Sequence, residues 1–157
     1  MAIDLTLLSD DPAGLYGLAI EKVAGAELGG EYTEVLSAGF GLPLKITRDF
    51  AEIISGAAPG AGVTIAGYLG RQDGRAVSTS LLVAAGGVAG IYNVATLAEY
   101  RGRGIGAALT VAPLIEARDM GYRVGALQSS DMGYGVYQRL GFREYCRLRQ
   151  FVWTGKE

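Results

Sequence analysis

Histidine is absent from all 157 residues, and cysteine occurs once, as Cys146. Without an imidazole the chain has no Ser-His dyad, no histidine general base and none of the usual catalytic zinc arrangements, so no metal site is expected. A single thiol forms no disulfide framework. Because it lies in the alternating run "FREYCRLRQFVW", Cys146 reads as a buried structural thiol. Lysine is missing from every position between Lys45 and Lys156, which excludes the GxxxxGK[ST] frame of a Walker-type nucleotide triphosphatase. Long apolar runs are missing too. The stretch Leu81 to Tyr92 contains three glycines and is shorter than the roughly 20 residues that span a bilayer, so no membrane partner is expected. The opening "MAIDLTLLSDD" carries no basic start and no cleavage site, which makes the cytoplasm the expected address.

What is present fits one globular domain over residues 1–157. Half of the residues are apolar and 19% are charged. The net charge of −2 speaks against generic nucleic-acid binding, yet its distribution is uneven. Residues 1–100 carry five basic and eleven acidic side chains, whereas 101–157 carry nine basic and five acidic. Solvated surface is the simpler reading of this asymmetry; if the gradient is functional, an anionic cofactor sits on the C-terminal half.

Periodicity supplies the order of elements. "VTIAGYL" (Val63 to Leu69), a turn at Asp73-Gly74, "AVSTSLLVA" (Ala76 to Ala84), a turn at Gly86-Gly87 and "VAGIYNVAT" (Val88 to Thr96) predict three antiparallel strands. Ile105, Ala108, Leu109, Ala112 and Ile115 then mark one helical stripe, with a kink expected at Pro113 and an end at Gly121. A strand over Arg123 to Gln128, a short helix from an Asp131 cap to Leu140, a stop at Gly141 and terminal strands over Phe142 to Trp153 complete this half. The first 62 residues suggest a strand at Ile3 to Leu8, a helix from Pro12 toward Ala26 and another over Ile46 to Ser55. Together these elements predict an α/β fold on a mixed, mostly antiparallel sheet flanked by helices.

Between the third strand and the long helix stands "EYRGRGIG", with three glycines and two arginines at a helix mouth. One reading is a tight turn with solvated arginines. A second is a dinucleotide fingerprint, since Gly102, Gly104 and Ala107 satisfy GxGxx[GA]. The acid of that fingerprint, due about 20 residues on, would fall near "ALQSS", where no acid stands. A third is an anion site built from the free N–H groups of the first helical turn, approached closely because glycine has no Cβ.

Two motifs, about thirty residues apart, resemble the GCN5-related N-acetyltransferase superfamily over roughly residues 63–153. "RGRGIG" matches that family's pyrophosphate loop, [QR]xxGx[GA], through Arg101, Gly104 and Gly106. "VYQRLGF", Val136 to Phe142, resembles its terminal signature. The resemblance implies the acyl-CoA N-acyltransferase fold, with acetyl-CoA as co-substrate. It further implies that residues 63–157 form the cofactor-binding core, while residues 1–62 form an acceptor-side helical segment. Val94, Ala95 and Thr96 would face the pantetheine arm. Arg101, Gly102, Arg103, Gly104, Ile105, Gly106 and Ala107 would hold the diphosphate, and Ser130 is assigned to the cofactor as well. The acceptor is then a small-molecule or peptide amine, and a homodimer is compatible with this reading.

Acyl transfer to an amine needs a neutral amine, a polarised carbonyl and a proton for the leaving thiolate. A lysine-like amine of pKa near 10.4 is only about 0.04% neutral at pH 7, a handicap of roughly 4.6 kcal/mol. The resemblance makes Tyr137 the proton donor, for which a phenol of pKa about 10 is suited. Packing is its alternative role, since Tyr134, Tyr137 and Leu140 share a helix face. Peptide-acetylating relatives carry a glutamate and an asparagine where this chain has Gly125 and Ser130. Tyr92, Asn93 and Glu99 are left as candidates for a water-mediated base. A non-catalytic acyl-CoA sensor or structural subunit with the same fold is the alternative function.

Overall fold

Two dipeptides set the centre of the sheet. Asp73 and Gly74 have φ of 51° and 80°, and Gly86 and Gly87 have φ of 57° and 83°. Positive φ at both central positions is the primed-turn geometry whose twist matches paired strands, and Asp and Gly adopt it with little strain. The turns join β3 (Thr64–Gln72), β4 (Arg75–Ala85) and β5 (Val88–Thr96) into an antiparallel meander. These limits follow the expected runs closely. The structure is a computed structural model that describes residues 1–9, 17–56, 60, 62–149, 151 and 155.

Around the meander lie β1 (Ala2–Asp4), β2 (Leu18–Val23) and β6 (Val124–Leu127), giving one sheet in the order β1-β6-β5-β4-β3-β2. Among the described residues only β5 and β6 run parallel, and α3 (Ile105–Asp119) makes the crossover between them. Helices α1 (Glu31–Phe40) and α2 (Leu44–Gly56) follow β2, and α4 (Asp131–Arg139) follows β6. Glycines report which face each helix covers. A Cβ on Gly67 would stand 2.4 Å from Leu28 and 3.2 Å from Tyr32 of α1, whereas one on Gly70 would stand 2.8 Å from Leu109 of α3. Positions three apart on one strand point to opposite faces, so α1 and α3 sandwich the sheet.

The apolar stripe of α3 is wider than the expected one. Ile105, Ala108 and Leu109 are buried, but so are Thr110, Val111, Leu114 and Ala117, while Ala112 and Ile115 are half-buried. The helix is covered both by the sheet and by the N-terminal 3-10 turn Leu5–Leu7, which explains the broader band. It stays helical through the buried Pro113, as expected for an interruption rather than an end. Such packing offsets the lost backbone bond, since burying Leu109 or Leu114 fully contributes about 1.5–3 kcal/mol each.

Several expectations are corrected. The residues expected to continue a helix from Pro12 include strand β2, which pairs with β3 over Leu18↔Gln72 to Val23↔Gly67; positions 10–16 lie outside the described residues. Gly17 (φ 85°) and Gly25 (φ 55°) bracket it, and pairing along a sheet edge overrides local helix propensity. The strand expected over Ile3 to Leu8 is shorter, giving way at Leu5 to the 3-10 turn. The terminal strands expected over Phe142 to Trp153 reduce, among the described residues, to a bridge between Ala2 and Arg143; residues 150 and 152–154 lie outside them. Cys146 is accordingly exposed, not buried. No helix among the described residues is long and apolar enough to cross a membrane.

Candidate active site

The site begins where two parallel strands part. β5 and β6 pair from Val88↔Val124 to Ile91↔Leu127, and beyond that β6 ends while β5 continues to Thr96. At the same level β5 carries an extra residue. Thr79 faces Ala95 and Leu81 faces Tyr92, so Ser80 alone opposes Asn93 and Val94. Asn93 takes φ 53° to make this bulge, and its carbonyl accepts the Thr79 hydroxyl at 3.0 Å. Across the sheet, the Tyr32 hydroxyl donates to the Ser80 carbonyl at 3.2 Å. The bulge is therefore held from both flanks, and it turns Val94 to Thr96 into the gap left by β6.

Opposite those residues stands the first turn of α3. Gly104 caps it in the left-handed region (φ 81°) and offers no side-chain acceptor, and no acidic residue stands in the first turn. First-turn N–H groups of a helix lack intrahelical partners, and the helix dipole adds about half a positive charge there. Gly106 lies one residue further in. A Cβ there would sit at ordinary contact distance, 3.6 Å from Thr96 Oγ1 and 3.8 Å from Val94 Cγ1, so a single methyl fits but a larger side chain would fill the groove between α3 and β5. These features fit an anion, since N–H donors and bare backbone face one cleft.

The two arginines of the loop serve it unequally. Arg101 lines the cleft, and its guanidinium donates to Thr96 O at 3.0 Å and Gly39 O at 2.8 Å, tying the loop to β5 and α1. Arg103 does not line the cleft. It donates to the Glu99 carbonyl at 2.9 Å and stacks over the Tyr100 ring at 5.2 Å. Its expected place beside a diphosphate is thus taken by contacts that shape the loop.

Helix α4 forms the far wall. Ser130, not Asp131, is the cap, its hydroxyl accepting Gly133 N at 3.3 Å. At the other end Gly141 takes φ 94°, and Phe142 N donates to Tyr137 O at 3.0 Å. The Phe142 ring then meets the Tyr137 ring edge-on at 6.0 Å. "LGF" is thus a C-terminal cap that buttresses Tyr137. On the other side, Gly133 leaves room for the same ring, because a Cβ there would come within 2.9 Å of Tyr137 Cε2. Burial pushes the Tyr137 phenol above its ordinary pKa, against a smaller opposing effect from its hydrogen bond with Thr110. The phenol is protonated at neutral pH.

The cavity enclosed by these parts has a volume of about 940 Å³, in the range of sites for small molecules and cofactors. Val94, Ala95, Thr96, Arg101, Gly102, Gly104, Ile105, Gly106, Ala107, Ser130 and Tyr137 all line it. Sequence reasoning missed Arg139, the end of α1 (Gly39 and Phe40) and Leu7 to Ser9, which also line it. The contact between α1 and β5 could not have been anticipated from motifs, as a Cβ on Gly39 would stand 2.7 Å from Ala95. The candidate bases are dispersed. Glu99 pairs with Arg75 at 3.1 Å, Tyr92 is exposed and folds over Gly90, and Asn93 Nδ2 is buried with no hydrogen bond of ordinary geometry among the described residues. No group of three His, Cys, Asp or Glu side chains that could hold a metal occurs among the described residues.

Comparison with known proteins agrees with this geometry. Residues 63–144 match the family model described as an acetyltransferase (GNAT) domain. The chain resembles the aminoglycoside N-acetyltransferase AAC(6')-Iy in complex with CoA at TM-score 0.66 and 20% identity, over 86% of this chain and 93% of that one. The same enzyme with a bisubstrate analogue, CoA-S-monomethyl-acetylneamine, gives TM-score 0.67 at 20% identity, over 88% and 99%. A GCN5-related N-acetyltransferase from Kribbella flavida gives TM-score 0.62 at 24% identity, over 90% of this chain and 52% of that one. No curated protein is matched by the sequence.

Proposed function

Because this chain belongs to the acetyltransferase (GNAT) domain family, we propose that it transfers an acetyl group from acetyl-CoA to a primary amine of a small molecule or peptide. The observation that carries the proposal is the convergence of the divided β5–β6 edge, the uncapped N-terminus of α3 and the buttressed Tyr137 on one cavity. Bound acetyl-CoA would supply an acyl carbon activated by a thiolate leaving group. The N–H groups of Ile105, Gly106 and Ala107 hold the diphosphate, each helix-terminal contact being worth about 0.3–1 kcal/mol. Val94 to Thr96 line the pantetheine arm, and Ser130 stands at its α4 side. Tyr137 gives its phenolic proton to the departing sulfur as the C–S bond breaks and the C–N bond forms, and the proton shed by the amine nitrogen returns through water to the Tyr137 phenolate. A phenol with pKa above 10 is less than about 0.1% ionised at pH 7, so this donor is always loaded. Residues 63–157 are the cofactor half in this reading, and the α1 end at Gly39 and Phe40 brings the N-terminal half to the acceptor.

The test is release of free CoA thiol across an amine panel that includes an aminoglycoside, a peptide α-amine and simple alkylamines. Tyr137→Phe keeps the ring contacts and removes the proton. General acid catalysis is worth about 10²–10⁴ in rate, so kcat falls at least a hundredfold while acetyl-CoA binding is retained. Full turnover by the mutant, with the chemical step limiting, removes Tyr137 from the reaction. Binding without turnover on any amine identifies an acyl-CoA sensor instead.

A further inference from the structure

The centre of β4 carries consecutive hydroxyl residues, Ser78, Thr79 and Ser80, all fully buried. A hydroxyl taken out of water is costly unless it is hydrogen-bonded, so the bonds these groups make are informative. Thr79 serves the β5 bulge through the Asn93 carbonyl. Ser78 reaches further along β5: its Oγ donates to the Ala95 carbonyl at 2.6 Å and lies 2.9 Å from Thr96 Oγ1. A serine hydroxyl has one proton, and a carbonyl can only accept. With the Ser78 proton committed to Ala95, the proton between the two hydroxyls is that of Thr96. The Thr96 hydroxyl therefore donates to Ser78 and keeps only lone pairs for a ligand. Among the described residues it accepts no hydrogen bond, and the Thr96 carbonyl is already taken by the Arg101 guanidinium at 3.0 Å. Ser78 stands outside the cavity, whereas Thr96 lines it, with Oγ1 3.6 Å from where a Gly106 Cβ would stand in the first turn of α3. Within that short distance the wall changes from donor to acceptor.

We propose that the buried Ser78 hydroxyl is a positioning residue that holds Thr96 Oγ1 as a fixed acceptor, and that this acceptor takes a hydrogen bond from a donor of the pantetheine arm. The proposal rests on the acetyl-CoA reading and deepens it. An esterified diphosphate presents oxygens and no proton at neutral pH, so the lone pairs of Thr96 repel it and leave it to the N–H groups of α3. The arm that follows it in CoA carries hydroxyl and amide N–H groups, which are donors. A Thr96 hydroxyl free to turn its proton outward would offer a donor to phosphate oxygens too, and the groove would lose this boundary. Ser78 thereby sets the register of the cofactor along the groove, and Thr96 reads it with its side chain rather than its backbone.

Isothermal titration of the intact protein with CoA and with 3′-phospho-ADP, the CoA nucleotide without the arm, tests both residues. Thr96→Val keeps the volume and removes the hydroxyl; it weakens CoA about fivefold and leaves the nucleotide unchanged, while Thr96→Ser keeps wild-type affinity for both. Ser78→Ala weakens CoA by a similar factor, and the double variant binds no more weakly than Thr96→Val alone, because Ser78 acts through Thr96. Equal weakening of both ligands, no change in either, or additive losses in the double variant overturn the assignment. Thr96→Val decides it even if Ser78→Ala fails to fold. Were wild type to bind neither CoA nor the nucleotide, the acetyl-CoA reading itself would fail and this proposal with it.

Discussion

Replacing Gly133 and Gly135 separately by alanine isolates the placement of the Tyr137 ring from the stability of its helix. Both glycines lie inside α4, where each costs about 1 kcal/mol of helix propensity relative to alanine. Either substitution alone would therefore raise Tm by about 2–4 °C in a chain of this size. Their surroundings differ. A Cβ at 135 meets only the far end of the flexible Arg139, at 3.5 Å, while a Cβ at 133 meets Tyr137 Cε2 at 2.9 Å. To restore an ordinary contact the ring must retreat by about half an ångström, with Phe142 packed edge-on against it. Misplacing a reacting group by 1 Å costs on the order of a hundredfold, so half of that costs about tenfold in kcat. Gly135→Ala should show the full gain in Tm with unchanged turnover. Gly133→Ala should show a smaller gain, about tenfold lower kcat and an unchanged KM for acetyl-CoA. Steady-state thiol release and differential scanning calorimetry read both quantities. Equal turnover in the two variants would refute the claim that ring position governs proton delivery.

Gly106→Ala should fold normally and bind acetyl-CoA within about threefold of wild type, since its Cβ makes ordinary contacts with Thr96 and Val94. Gly106→Val projects further methyls into the groove and should weaken binding more than about tenfold by calorimetric titration. On the sheet face, burial pushes the Glu116 carboxyl up, but hydrogen bonds from Lys22 and from the Tyr68 hydroxyl (2.6 Å) outweigh it and hold the pKa below the ordinary value. A depressed folded-state pKa means stability present above the unfolded value near 4.3 and lost as pH falls through the folded value. Glu116→Gln should thus cost about 1 kcal/mol at pH 7, the figure being reduced for partial exposure, and almost nothing at pH 2. A Tm difference independent of pH would contradict it.

The parts legible in the sequence were those whose geometry is local. Primed turns at Asp73-Gly74 and Gly86-Gly87, the stop at Gly121 and the helix N-terminus at Gly104 each follow from a few adjacent residues, and each stands where expected. The N-terminal third was hard to read because its elements are set by distant partners. β2 is a strand because β3 offers an edge, and α1 (Glu31–Phe40), unanticipated, is fixed by Tyr32 and Leu36 packed in the core and by Arg71 gripping Glu31 at 2.6 Å. Cys146 failed for the converse reason, since an alternating run becomes a buried strand only where a neighbour pairs with it. Within the site, motif positions converged on the cavity, whereas Arg139 carried no signal beyond its place in "YQRLGF". What distinguishes it is that it makes no hydrogen bond or ion pair among the described residues, which only three dimensions can show.

The central claim, that this cavity holds acetyl-CoA, is tested most directly by ligand-induced thermal stabilisation of the whole chain. At acetyl-CoA concentrations 100 times Kd the folded state gains about 2.7 kcal/mol, a rise in Tm of about 5–10 °C, while NAD at the same concentration leaves Tm unchanged. Stabilisation by NAD but not by acetyl-CoA, or by neither, would contradict it.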